Sequence, residues 1–225
     1  MQRKILVVSA GLGVPSSTRM LADQLALATK GQLEQLGTTV EIDVVELRDY
    51  AGEIANNLVT GYAGPALADV IARLADADAL IAVTPTFSAS YSGLFKSFFD
   101  VLDPKMLDGM PVLFGATGGS SRHSLVLEMA IRPLFSYLRA RTMPTGVYAS
   151  PEDWGQGEAG TGGLDRRIAQ AAGELATAIA PGRTAGTPDG GAAGVPDHKA
   201  KRSAREAEKM ESLPFEQLLA QITGR

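Results

Sequence analysis

Cysteine is absent from the 225 residues, so disulfides, thiolate nucleophiles and cysteine-ligated metal sites are excluded outright. A chain without cysteine is simplest to place in a reducing cytoplasm. No apolar run reaches the roughly 20 residues of a membrane-spanning helix, so no membrane association is expected. Charge of one sign is scarce as well. Lys and Arg number 21 against 25 Asp and Glu, a net charge of −4, which argues against a chain built to bind a nucleic-acid polymer. The opening Met1-Gln2-Arg3-Lys4 followed by an apolar stretch has the flavour of a signal peptide. The stretch is too short, however, and runs into Pro15 and a hydroxyl cluster, as a first β-strand would.

The segment just after that strand is the most informative in the chain. Ile5-Leu6-Val7-Val8 breaks into Ser9-Ala10-Gly11-Leu12-Gly13-Val14-Pro15-Ser16-Ser17-Thr18-Arg19, and a helical pattern begins at once over residues 18–36. A buried strand, a hydroxyl-rich loop and a helix N-terminus present unpaired N–H groups, several hydroxyls and one guanidinium to a ligand, and a phosphate suits them. No Gly-Lys-Ser/Thr closes the loop, so it is not a triphosphate loop, and the third glycine of a dinucleotide fingerprint is missing. Hydroxyls in place of a lysine fit a mononucleotide phosphate such as that of FMN. On this loop alone an ordinary βα connection with Ser/Thr caps fits equally well.

Further along, apolar runs alternate with helical patterns, the signature of a parallel sheet covered on both faces. Strands are expected at 39–47, where alternation marks an edge, and at 79–84, 111–116 and 146–149. Helices are expected at 65–75, 94–102, 121–141 and 164–180, with a looser segment at 48–64. Five strands with intervening helices imply an α/β three-layer sandwich of the flavodoxin-like kind, with a five-stranded parallel sheet. This domain occupies residues 1–180. Composition changes at Pro181, where residues 181–212 read as a flexible Gly/Ala/Pro-rich and charged linker. Residues 213–225 end the chain with an apolar face, carried by Phe215, Leu218, Leu219 and Ile222, that suits a short docked helix.

In such a sheet, ligands sit beyond the carboxyl ends of the strands. Two more strand ends are rich there, Thr84-Pro85-Thr86-Phe87-Ser88-Ala89-Ser90-Tyr91-Ser92-Gly93 and Ala116-Thr117-Gly118-Gly119-Ser120-Ser121. The stretch containing them resembles the NAD(P)H-dependent FMN reductases, particularly those feeding two-component flavin-dependent monooxygenases. The resemblance rests on Thr84-Pro85-x-Phe87, Tyr91-Ser92-Gly93-Leu94-x-Lys96, Asp100, Leu107-x-Gly109, Ala116-Thr117-Gly118-Gly119, His123, Arg132-Pro133 and Gly146-Val147. With the first loop, it covers about two thirds of the chain. It implies that Ser9, Ser16, Ser17 and Thr18, with Arg19 beside them, hold an FMN phosphate. Pro85, Thr86, Phe87 and Ser88 would line the flavin ring, and Thr117, Gly118 and Gly119 would meet its polar edge.

The chemistry implied is hydride transfer from NADPH or NADH to flavin N5 at a separation of about 3–3.5 Å, with the cofactor carrying the reaction. No catalytic acid–base pair and no metal are then expected. Flavin and nicotinamide nucleotides are the implied ligands, a monooxygenase the implied recipient, and a homodimer or homotetramer the implied assembly. An FMN-bound quinone or azo reductase, or a flavodoxin-type electron carrier, is the alternative. Among the remaining conspicuous residues, His123 reads as structural, Phe95, Phe98 and Phe99 as packing, and Asp100 and Asp103 as a helix-end feature. Trp154 fits either a lid over the ring or a surface anchor.

Overall fold

A computed structural model describes residues 2–154 and 161–180. The linker expected at 181–212 and the apolar segment expected at 213–225 lie outside the described residues. Strand β1 (Gln2–Ser9) is flanked by β2 (Thr39–Glu46) and β3 (Ala79–Phe87), both parallel to it. The two-residue β4 (Ser90–Tyr91) folds back antiparallel on the end of β3, and β5 (Pro111–Thr117) pairs parallel with β3 on its other side from β1. Two short pieces, β6 (Arg141–Thr142) and β7 (Val147–Ala149), complete the far edge, each parallel to β5. The order is therefore β2-β1-β3-β5 and then the β6/β7 edge. Strand order reverses between β1 and β3, which places a ligand crevice at their carboxyl ends.

Alternation of side chains along β1 divides the core into two. Leu6 and Val8 join one buried cluster with α2 (Ala51–Thr60), α3 (Pro65–Asp76) and α4 (Gly93–Asp100). Ile5 and Val7 join the other, with α1 (Ser17–Gln35) and α6 (Thr161–Ile179). Strands β3 and β5 are buried on both faces, which is why they read as unbroken apolar runs. The three phenylalanines of α4 are all buried. Phe99 meets Phe95 and Phe135 edge-to-face, with ring centroids 4.8 and 5.1 Å away. The apolar face of this helix is thus covered within the chain.

Two expected elements come out differently. The looser segment at 48–64 contains a 3-10 turn (Leu47–Tyr50) and the helix α2, closed by Gly61 at φ 71°. Local propensity hides α2, because Gly52 and β-branched residues crowd it; burial of Ile54 and Asn57 holds it in place. The continuous helix expected at 121–141 is broken into a 3-10 turn (Ser121–His123), a π turn (Leu127–Ile131) and α5 (Arg132–Tyr137). Pro133 has no N–H to offer the carbonyl of Met129, and the widened turn lies against that gap. The fifth strand is found as β7, one residue shorter than expected, and the separate β6 precedes it where the end of the expected helix falls. Beside it Gly146 packs so close to Phe114 that an added Cβ would stand 2.7 Å from the ring.

Candidate functional site

The loop after β1 is held from several directions. The Ala10 amide donates to the Val83 carbonyl at 2.9 Å, fixing the first loop residue to the neighbouring strand. Gly11 lies close under the Ser16 side chain, since a Cβ there would lie 2.0 Å from the Ser16 hydroxyl, which would have to move. That hydroxyl caps α1 by accepting the Arg19 amide at 3.2 Å. Ser17 is exposed at the first helical position, whereas Thr18 is buried. At the floor of the loop Ser9 is fully buried, and its hydroxyl makes no hydrogen bond within the protein. An orphaned hydroxyl, a glycine cradle and a helix N-terminus together fit an anionic group with oxygen acceptors.

Arg19 behaves differently from its hydroxyl neighbours. Its Nε donates to Asp23 at 2.8 Å and its Nη1 to Glu46 at 3.0 Å. The hydrogen bond to Asp23, opposed by burial, raises its pKa further, and Glu46 adds to the rise. Arg48, in the 3-10 turn after β2, sits by the other oxygen of Glu46 at 3.0 Å and donates to the Gly13 carbonyl at 2.9 Å. Glu46 and Arg48 carried no signal in the sequence, because a charged pair at a strand end reads as solvent-facing. Only the pairing of Ser9 with Glu46 across β1 and β2 brings them to the loop.

The second strand end is a tight hairpin. Strand β3 runs through Pro85 and Thr86 to Phe87 and turns back into β4. The turn residues Ser88 and Ala89 both have positive φ, 48° and 65°, a conformation that costs non-glycine residues free energy and is common at functional sites. Phe87 is half exposed at its tip. Thr84 secures the base: its hydroxyl accepts the Ser92 amide at 3.0 Å and donates to the Pro85 carbonyl at 2.9 Å. Pro85 lies beside Thr117 in register, so the second and third strand ends are adjacent.

The third strand end closes the group. The Thr117 hydroxyl is 2.8 Å from that of Thr18, a buried bond that ties the first loop to the third across the sheet. The Gly118 amide donates to Ala149, and a Cβ on Gly118 would lie 2.1 Å from the Tyr148 hydroxyl. That hydroxyl donates to the Ser120 carbonyl at 2.7 Å and so fixes the Gly118-Gly119 turn from behind. Burial raises the Tyr148 pKa, Asp153 and Glu152 add to the rise, and the Thr86 hydroxyl opposes it, so Tyr148 keeps its proton. Tyr148 is another positioning residue that its place in a short strand concealed.

Ser9, Ser16, Ser17, Thr18, Pro85, Thr86, Phe87, Ser88, Thr117, Gly118 and Gly119 all fall on these three strand ends, which lie side by side in the sheet. His123 is exposed on its short turn. Trp154 packs against the α1/α6 core cluster, the surface-anchor arrangement. Lys96 pairs with Asp100 one turn along α4, and Asp103 accepts the Lys105 amide at 2.7 Å, a helix-end arrangement. Among the described residues no group of three or more acidic or histidine side chains is placed to hold a metal, and no helix is long and apolar enough to cross a membrane.

Known proteins share this arrangement of strands and loops. A family model described as NADPH-dependent FMN reductase matches residues 3–155. An FMN reductase (NADPH) of Pseudomonas aeruginosa is 40% identical over 153 residues, which cover 67% of this chain and 78% of that protein. The NADH-dependent FMN reductase SfnF of Pseudomonas fluorescens is 36% identical, over 75% of this chain and 88% of its own. Among solved structures, an oxidoreductase from Corynebacterium diphtheriae superposes with a TM-score of 0.76 at 43% identity, covering 79% of this chain and 97% of that one. The apo form of the NADH:FMN oxidoreductase EMOB shares the fold, with a TM-score of 0.64 at 23% identity over 76% of this chain and 88% of its own.

Proposed function

The chain belongs to the NADPH-dependent FMN reductase family, and from that premise we propose that its three joined strand ends hold FMN and that the reduced flavin passes to a flavin-dependent monooxygenase. The observation that carries the site assignment is the Thr18–Thr117 hydroxyl bond at 2.8 Å, which sets the hydroxyl loop and the Gly118-Gly119 turn at one crevice. In this reading the orphaned Ser9 hydroxyl, Ser16, Ser17 and the first amides of α1 receive the phosphate, and Thr18 keeps the loop joined to β5. Arg19 stands beside them, paired with Asp23 and Glu46. Pro85, Thr86, Phe87 and Ser88 support the ring on the strained hairpin, and Thr117, Gly118 and Gly119 offer backbone groups to its polar edge.

When bound, the flavin supplies the hydride acceptor for reduced nicotinamide, and the protein supplies position and water exclusion. No side-chain acid or base is required for this transfer. The cytoplasm, where reduced nicotinamide is abundant, is the compartment we assign. A homodimer or homotetramer is the assembly we assign. Its support is the apolar outer face of residues 125–137, where Leu125, Met129 and Tyr137 are exposed.

The test is steady-state oxidation of NADH and NADPH with FMN, FAD, riboflavin and quinones compared side by side. FMN is expected to be the preferred acceptor, with riboflavin weaker because it has no phosphate. Equal kinetics with riboflavin and FMN overturns the assignment of the hydroxyl loop. Faster turnover with quinones than with flavins overturns delivery of reduced FMN as the physiological outcome.

A further inference from the structure

An arginine in the first turn of a helix that faces an anion ordinarily turns to it, because a guanidinium matches phosphate oxygens in a two-pronged bond. Here Arg19 is turned away. Its Nη1 is on Glu46 at 3.0 Å and its Nε on Asp23 at 2.8 Å. Glu46 is well shielded, with a side-chain exposure of 17%, and its second oxygen is 3.0 Å from Arg48. Arg48 in turn donates to Gly13 in the middle of the loop, and its contact with Glu46 is an ion pair without a hydrogen bond. Asp49 lies 3.8 Å from the Nε of Arg48. Two positive charges thus stand against three negative ones beside the hydroxyl loop.

We infer that Glu46 is an affinity-setting residue for the flavin phosphate: it sequesters Arg19, so that the phosphate is held by neutral hydroxyl and amide donors. This rests on the reading of residues 9–19 as the FMN phosphate site. The consequence is graded anchoring. Neutral donors hold a dianion less tightly than a guanidinium does, and an enzyme that hands on its flavin must let go of it. Arg48 contributes by donating to the Gly13 carbonyl, so that its guanidinium is directed at the loop backbone.

Removing the Glu46 charge should therefore strengthen flavin binding, the opposite of the usual loss when a site residue is changed. The full chain, freed of flavin, is titrated with FMN and with riboflavin, monitoring flavin fluorescence at fixed ionic strength. Glu46→Gln is expected to lower the Kd for FMN by about threefold to tenfold, the scale of one unit charge acting at partly screened range. The Kd for riboflavin should stay the same. The gain should fall away in the Arg19→Gln/Glu46→Gln double variant, where Arg19 is gone and Arg48, though it loses Glu46, is still held on the Gly13 carbonyl.

Asp23→Asn, on the exposed surface of α1, provides a second variant that leaves the loop untouched. It should tighten FMN in the same direction by about twofold, because it frees only the Nε. The inference is overturned if FMN binds Glu46→Gln and Asp23→Asn no more tightly than the parent. Equal tightening of FMN and riboflavin overturns it too. In either case a parent protein that still favours FMN over riboflavin leaves the phosphate-site reading standing. If the parent binds the two flavins equally, that reading fails and the role of Glu46 fails with it.

Discussion

Replacing Gly11 with alanine tests the architecture of the hydroxyl loop in a way that can be worked out beforehand. The new methyl would stand 2.0 Å from the Ser16 hydroxyl, 3.1 Å from the Thr18 Cβ and 3.2 Å from the Ser16 Cβ. The first contact is impossible, so the hydroxyl must swing off the Arg19 amide that it caps at 3.2 Å. Loss of that cap costs about 1 kcal/mol. The two remaining contacts are tight but not prohibitive and add about 1 kcal/mol of overpacking. Gly11→Ala is therefore expected to lose about 2 kcal/mol and Ser16→Ala about 1 kcal/mol. In the double variant the cap is lost only once, so the combined cost stays near 2 kcal/mol, not the additive value of about 3. Urea unfolding monitored by far-ultraviolet circular dichroism measures all three, with the slopes checked for equality. Strictly additive losses would mean that the Ser16 hydroxyl does not fill the space over Gly11, and the cradle would have to be abandoned.

Thr117→Val leaves the buried Thr18 hydroxyl without its partner at 2.8 Å. It should cost about 1–3 kcal/mol in urea unfolding, part of which the Thr18→Val/Thr117→Val double variant restores. For Glu128, the hydrogen bond from Arg132, opposed by burial and aided by charge, holds the carboxyl below its ordinary value of 4.5. A depressed folded-state pKa stabilises fully above the unfolded value and is lost as pH falls through the folded one. Glu128→Gln should therefore lower the urea midpoint at neutral pH, and the difference should close below about pH 4.5. The effect is small, under about 1 kcal/mol, because the carboxylate is half exposed and screened. For assembly, light scattering at micromolar concentration should give a dimer or tetramer, and a fully active monomer would refute the assembly assigned above.

The parts of the fold that are legible in the sequence are those where local chemistry and tertiary burial agree. Ile5-Leu6-Val7-Val8 followed by a capping serine leaves few options besides strand, loop and helix. The doubly buried β3 and β5 likewise allow little except strand. Helix α2 escaped because its propensity is poor, and only the burial of Ile54 and Asn57 offsets that. The π turn at Leu127–Ile131 escaped for a different reason. Pro133 was visible, but periodicity alone does not tell a break from a widened turn, and Ile131, Leu134 and Phe135 keep the buried stripe going through it. The site divides in the same way. Hydroxyl and glycine clusters were legible as residue types at the carboxyl ends of the strands. The bonds that organise them were not, because Thr18 and Thr117 are 99 positions apart and Glu46 meets Arg19 only after β2 has paired with β1.

These bonds share a design that suits a protein whose chemistry is carried by a bound group. Each strand end is rigidified by a contact made to its neighbour: Ala10 on Val83, Thr18 on Thr117, Gly118 on Ala149. The crevice is thus shaped before a ligand arrives, and ordering entropy is met in folding and not in binding. Side chains that could compete as acids or bases are paired elsewhere or kept neutral, as Tyr148 is by burial. In the proposed site, neutral donors would orient a flat ring without gripping it as hard as an ion pair does. That combination, precise orientation with moderate hold, is what hydride transfer and then release of the reduced flavin require, because the first step depends on distance and the second on a low barrier to departure.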